Sequence, residues 1–162
     1  MSKVADEVLK VREKLKAESL AKWKHNLEVA EAMDWDKWQK HSSYTRHELA
    51  YQAYKDPTYF GVPYIFDVTC PFCRACADDD CGCNGCPLYA GDEVDDVSCC
   101  IEWERVRDVL LSKCNNYTKE QLITAIKVMV EKIEGIDVSL PEREYLTQYR
   151  TDGSDIIPED KL

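Results

Sequence analysis

The sequence predicts a mainly α-helical protein with a small cysteine-rich zinc-knuckle insertion and at most a short β-hairpin. Three observations carry that expectation. Apolar residues recur at helical spacing through most of residues 1–56 and again after residue 100. Residue pairs with the form of helix caps stand where several of these runs begin. Between the two helical parts lie eight of the nine cysteines, from Cys70 to Cys100.

The first run, Val4, Val8, Val11 and Leu15, has the spacing of one helical face with charged residues between its members. After Ser19 the stripe resumes one step out of phase as Leu20, Trp23, Leu27 and Ala30, so the helix either bends there or buries a wider face. Trp35 and Trp38 extend it. Ser42 and Ser43 interrupt the pattern, and Thr45 with Glu48 three residues on has the form of a capping box for a second helix. That helix carries Tyr44, His47, Tyr51 and Tyr54 on one face. It stops before Pro57, whose ring disfavours helical backbone in the preceding residue.

Residues 59 to 69 are aromatic and β-branched with Gly and Pro breaks, which suits a short strand or two. Ser98 is placed to cap a helix bearing Trp103, Val106 and Leu110. Cys99 and Cys100 then fall in its first turn, where unpaired N–H groups and the helix dipole favour thiolate over thiol. Thr118 with Gln121 forms another capping box, ahead of Leu122, Ile126, Met129 and Ile133 in register and Gly135 as the stop. Ser139 with Glu142 signals one more short helix through Tyr149. The chain thus divides into N-terminal helices (1–56), a Cys-rich metal-binding segment (57–100), C-terminal helices of the same domain (101–150) and a flexible tail (151–162).

A chain of 162 residues can build one ordinary core, so the helices are not expected to need a metal everywhere. No apolar run has the form of a signal peptide or the length of about 20 residues of a membrane span, which points to the cytoplasm and to no membrane partner. In a reducing compartment nine cysteines favour metal or redox chemistry over a disulfide framework. The net charge of −10 is uneven: residues 1–55 hold 11 basic and 9 acidic side chains, residues 56–162 hold 10 and 22. Thiolate ligation adds further negative charge. This argues against nucleic acid as the direct partner of the Cys-rich half and for a protein with a basic surface.

Cys70 and Cys73 pair as one C-x2-C knuckle, and Cys83 and Cys86 as a second. Two-residue spacing lets both sulfurs of a knuckle reach one tetrahedral ion, and four thiolates make a closed, structural zinc site. Cys76, Cys81, Cys99 and Cys100 supply a candidate second site or exchange with the first. An iron–sulfur cluster is the alternative cofactor: Cys70, Cys73 and Cys76 followed by Cys86-Pro87 approximate a ferredoxin run, with nine residues where that run has three. Asp78 to Asp80 lack the alternating ligands of a calcium loop.

The run Cys-Pro-Phe-Cys, then Cys-Asn-Gly-Cys-Pro-Leu-Tyr, then Cys100 and Trp103, resembles small bacteriophage and prophage proteins with paired C-x2-C knuckles, over about residues 66 to 103. The resemblance implies a phage origin, hence the cytoplasm of a host cell, and a metal site. It implies no activity. The extra cysteines at 76, 81 and 99 depart from that pattern.

No phosphate loop, nucleophile elbow or His-Glu-x-x-His helix is present, and no enzymatic activity is expected. His25, His41 and His47 read as surface or interface positions. Trp23, Trp35, Trp38 and Tyr51 belong to an aromatic excess in the first 66 residues, which serves either the core or a partner surface, including one for a homodimer. With Asp92, Glu93, Asp95 and Asp96 they form the candidate partner-binding set. The expected function is that of a non-enzymatic zinc-binding phage protein that inhibits a host protein or nucleic-acid-processing complex, of anti-CRISPR or anti-restriction type, through acidic charge mimicry. A zinc-dependent nucleic-acid-binding regulator using Lys10, Arg12, Lys14, Lys16, Lys22 and Lys24 is the alternative, and an iron–sulfur redox protein the third.

Overall fold

A computed structural model describes residues 4–56, 61–63, 65, 71–72, 86–88, 100–112 and 116–149. Six α-helices run through them: α1 (Asp6–Ala32), α2 (Trp35–Lys40), α3 (Ser43–Lys55), α4 (Ile101–Leu111), α5 (Lys119–Glu134) and α6 (Glu142–Thr147). The protein is mainly helical, with no strand among the described residues. Of the segment expected to form a strand, Gly61, Val62, Pro63 and Ile65 are described and non-helical, with Val62 and Ile65 buried. The rest of that segment lies outside the described residues. No described helix is long and apolar enough to cross a membrane.

α1 passes through Ser19 without a break, and Ser19 is fully buried, so the phase shift in its stripe marks a wider buried face. The helix ends at Ala32. Met33 is extended, and the Asp34 carboxylate accepts from the Lys37 N–H at 3.2 Å, so Trp35 and Trp38 start a helix of their own rather than extending α1. At α3 the Ser42 hydroxyl accepts from the Thr45 N–H at 3.1 Å. This helix therefore begins ahead of the Thr45–Glu48 pair that the sequence offered as its cap. Its Tyr44, His47 and Tyr51 face solvent, while Arg46, Ala50 and Ala53 are buried.

The Thr118–Gln121 capping box forms as expected, with both reciprocal bonds made. Leu122, Ala125, Ile126, Met129, Val130 and Ile133 face the core. Thr118→Ala is expected to cost about 1 kcal/mol, read as a lower denaturant midpoint at unchanged slope. Gly135 ends α5 with ordinary negative φ. Its role is space, since a Cβ there would meet the Tyr149 hydroxyl at 2.8 Å. α6 starts after Pro141 rather than at Ser139, whose N–H and hydroxyl both bond the Asp137 carboxylate instead. Those bonds hold the Asp137 carboxyl below its usual pKa.

Helix ends leave carbonyls without intrahelical partners. Here side chains from other helices take them up. Lys119, the first residue of α5, donates to Glu31 O and Met33 O at the end of α1. From α1, Lys16 reaches Ile136 O, and Arg12 reaches Val138 O and Leu140 O, just past the end of α5. α1 and α5 are therefore antiparallel, each serving the other's C-terminus. Trp38 Nε1 donates to Leu110 O at 2.9 Å and Arg46 to Ser112 O at 3.0 Å, closing the end of α4.

This exchange corrects the expected face of α1. Arg12 is 6% exposed, held by two carbonyls and stacked 3.9 Å over the Tyr145 ring, so its side of the helix turns inward. Val8 and Val11, expected in the core, are 45% and 58% exposed.

Candidate metal centre and its anchorage

Of the eight clustered cysteines, Cys86 and Cys100 are described; Cys70, Cys73, Cys76, Cys81, Cys83 and Cys99 lie outside the described residues. Among the described residues no three His, Cys, Asp or Glu side chains gather around a point that could hold a metal ion. Two thiols are half of a closed zinc site, and thiolate is a donor type that suits zinc.

What the structure shows is how the Cys-rich segment is held. Trp103 on α4 donates its indole N–H to Ile65 O, five residues ahead of Cys70. Phe72, between Cys70 and Cys73, is 2% exposed and packs in the core cluster that also contains Val106, Leu110 and Met129. Leu88, two residues after Cys86, is 1% exposed in the same cluster. Cys100 is the N-cap residue of α4, without a side-chain capping bond, and half-buried. The helix therefore starts two residues later than a Ser98 cap would place it, and Cys100, expected in its first turn, precedes it in extended backbone.

Lys132 of α5 stands at the centre of these anchors. Its ammonium donates to Leu88 O at 2.8 Å and to Glu102 Oε2 at 2.6 Å, with the lysine side chain 8% and the glutamate 21% exposed. Cys100 Sγ lies 4.0 Å from the same Oε2. The Tyr149 ring sits 5.0 Å from the ammonium, and its hydroxyl donates to Lys132 O. Burial, and then the Glu102 charge, push the Tyr149 phenol above its usual pKa.

A largely buried pair of this kind recovers its desolvation cost only while both partners stay. Lys132→Met is therefore expected to cost about 3 kcal/mol, by stranding Glu102 and Leu88 O in the interior. Lys132→Met with Glu102→Leu is expected to recover most of that loss, and urea unfolding of both variants checks the difference.

The candidate partner residues separate by burial. Trp23 is fully buried and Trp38 is 4% exposed, so these two are core side chains and offer no surface to a partner. Trp35 is half-buried and donates to Tyr117 O at 3.2 Å. Tyr51 is exposed with Lys55 4.8 Å from its ring, and Tyr44 beside it is 74% exposed. Asp92, Glu93, Asp95 and Asp96 lie outside the described residues. His47 is exposed with Nδ1 2.7 Å from its own helix's Ser43 O, and His41 lies edge-on to Trp38.

The basic residues of α1 are mostly engaged within the chain. Arg12 and Lys16 hold carbonyls, Lys22 is buried, and Lys14 and Lys24 pair with Glu18 and Glu134 at the surface. Lys10 is exposed. A groove of about 410 Å³ between α4 and α5 is lined by Glu102, Arg105, Val109, Tyr117, Gln121 and Thr124 among others, and among the described residues no histidine, serine or cysteine lines it.

Lys132, Glu102 and Tyr149 were not singled out by motif or spacing. Comparison of the chain with protein-family models, with curated proteins and with solved structures finds no match, which leaves side-chain chemistry and geometry as the grounds for function.

Proposed function

We propose that the chain is a non-enzymatic zinc-binding protein, of phage origin, that binds and inhibits a host protein or nucleic-acid-processing complex with a basic surface. In this reading residues 57–100 form a structural zinc knuckle inserted between helices of one domain. Cys70, Cys73 and Cys86 supply thiolates, together with Cys83 or another of the clustered cysteines.

The observation that carries it is the anchorage of the cysteine-bearing segment. Side chains adjacent to Cys70, Cys73 and Cys86 insert into the helical core, and the carbonyl two residues past Cys86 is held by a buried lysine. A segment fixed in this way suits a rigid, closed thiolate site. The acidic balance of residues 56–162 supports a basic partner. Exposed Tyr44 and Tyr51 are the aromatic anchors available for contact. The nucleic-acid reading is weakened because Arg12 and Lys16 hold backbone carbonyls and Lys22 is buried, which leaves Lys10, Lys14 and Lys24 as the exposed cations of that set, the last two beside surface carboxylates.

The test is elemental mass spectrometry and an absorption spectrum on protein purified without added metal, followed by a mobility-shift titration at low salt. About one or two zinc ions per chain, no visible absorbance and no nucleic-acid shift are expected. Iron with visible absorbance would replace this reading with the iron–sulfur one. A shift with a steep salt dependence would replace it with the nucleic-acid regulator.

A further inference from the structure

We propose that the N-terminal half of α1 is a docking face for a second copy of this chain, which pairs with it antiparallel about a two-fold axis through Val8, Val11 and Leu15. The proposal goes beyond the zinc reading and does not depend on it.

The fold covers this face of α1 along only half its length. Val8, Leu15, Lys22 and Val29 stand seven residues apart, so they follow nearly one line along the helix. Lys22 is 4% and Val29 0% exposed, whereas Val8 is 45% exposed and Leu15 half-buried. Val11, 58% exposed, lies three residues after Val8 and four before Leu15, which is the spacing of a coiled-coil seam. Val4, just ahead of the helix, continues that spacing and is half-buried. Adjoining apolar side chains left open in this way form a patch rather than scattered singles.

The charges beside the seam select the occupant. Glu7 and Lys14 flank it on one side, each immediately preceding a seam residue, and both are exposed. In an antiparallel pair, Val8 of each copy meets the partner's Val11, and Leu15 lies opposite the helix start at the partner's Val4. Flanking positions of this type then face each other across the seam, so Glu7 stands opposite the partner's Lys14 and Lys14 opposite the partner's Glu7. The face is thus complementary to itself, as a two-fold interface requires. Lys14 lies only 3.9 Å from its own Glu18 at the surface, a pairing weak enough to exchange. A parallel pair lacks this match. It would set Glu7 against the partner's Arg12, which is buried and held by Val138 O and Leu140 O, and Lys14 against the partner's fully buried Ser19.

From Ser19 onward the antiparallel partner passes beyond the start of α1, so the covered half of each helix stays clear of the seam. A contact this short buries less than the roughly 1,200 Å² of a stable complex, and the dimer is expected to be weak and lost on dilution.

Sedimentation equilibrium of the full chain, from about 10 μM to about 1 mM, tests the proposal. Wild type should show a reversible monomer–dimer equilibrium. Val11→Glu sets a carboxylate against the partner's Val8 twice in each dimer and should raise the dimer dissociation constant about 100-fold. Because Val11 is exposed, the same change should leave the thermal midpoint of the dilute monomer in place. Glu7→Lys should weaken the dimer about 5-fold at low salt, and adding Lys14→Glu to it should restore most of that loss.

A wild-type chain that stays monomeric throughout would overturn the proposal, as would a dimer unchanged by Val11→Glu. A Val11→Glu monomer that melts several degrees lower would overturn it too, by showing that the chain itself covers this face. A double charge reversal no better than Glu7→Lys alone would rule out the antiparallel arrangement. None of these readings requires bound metal, so failure of the zinc reading is seen separately, in the metal content.

Discussion

Trp23→Ala is expected to cost about 4 kcal/mol and to leave the domain close to its unfolding threshold. Trp23 is fully buried at the middle of α1, in the cluster that joins α1, α4 and α5. Removing an indole from a packed site forfeits its transfer free energy and leaves a cavity, together about 3–5 kcal/mol. A domain holds about 5–15 kcal/mol in all, so the loss is a large part of the whole. Trp23→Phe separates packing from hydrogen bonding. The Trp23 Nε1 atom is buried with no hydrogen-bond partner among the described residues, so a phenylalanine there gives up volume and no bond. At Trp38 the same change also strands Leu110 O, to which the indole donates at 2.9 Å. Trp38→Phe should therefore cost about 1 kcal/mol more than its lost volume. Denaturant midpoints of the three variants check both statements.

The helices were legible where the signal is local. The Thr118–Gln121 box and the Ile126–Met129–Ile133 register lie within one helix, and both are as read. The local signals mislead where two of them compete: Ser42 and Asp34 cap α3 and α2, whereas the Thr45–Glu48 pattern and the Trp35–Trp38 spacing are the stronger motifs in isolation. The exposure of Val8 and Val11 has a different cause. Arg12 turns inward because Val138 O, Leu140 O and the Tyr145 ring await it more than 120 residues away, and a valine stripe carries no information about them. Lys132 was illegible for the same reason, being an ordinary helix residue until Leu88 O and Glu102 arrive beside it. The metal proposal rests on the chemistry of the cysteine spacing; the structure describes anchors on either side of it, Trp103 to Ile65 O and Lys132 to Leu88 O.

If residues 57–100 hold zinc as proposed, stripping it is expected to unfold the helical domain together with the cysteine-rich segment, in one cooperative step. The sequence suggested the opposite, a small metal-held subdomain beside a helical core able to stand alone. Burial argues for coupling. Val62, Ile65, Phe72 and Leu88 come from residues 57–100, all are 2% exposed or less, and they share one cluster with Trp23, Val106, Ile126 and Met129. At about 1.5–3 kcal/mol for each buried side chain of this size, those four contribute on the order of 6–12 kcal/mol to the common core. The ordering entropy of the segment offsets part of this, and what remains is still a sizeable share of the about 5–15 kcal/mol that an ordinary domain holds. The helices therefore have little margin once the segment lets go, and a structural ion that fixes the segment stabilises the helices at a distance. Titration with a zinc chelator, followed by helical circular dichroism and by released zinc, should give coincident transitions, and added zinc should raise the thermal midpoint. Helical signal that persists unchanged after the zinc has left would show instead that α1, α4 and α5 hold their own core, with the metal serving the cysteine segment alone.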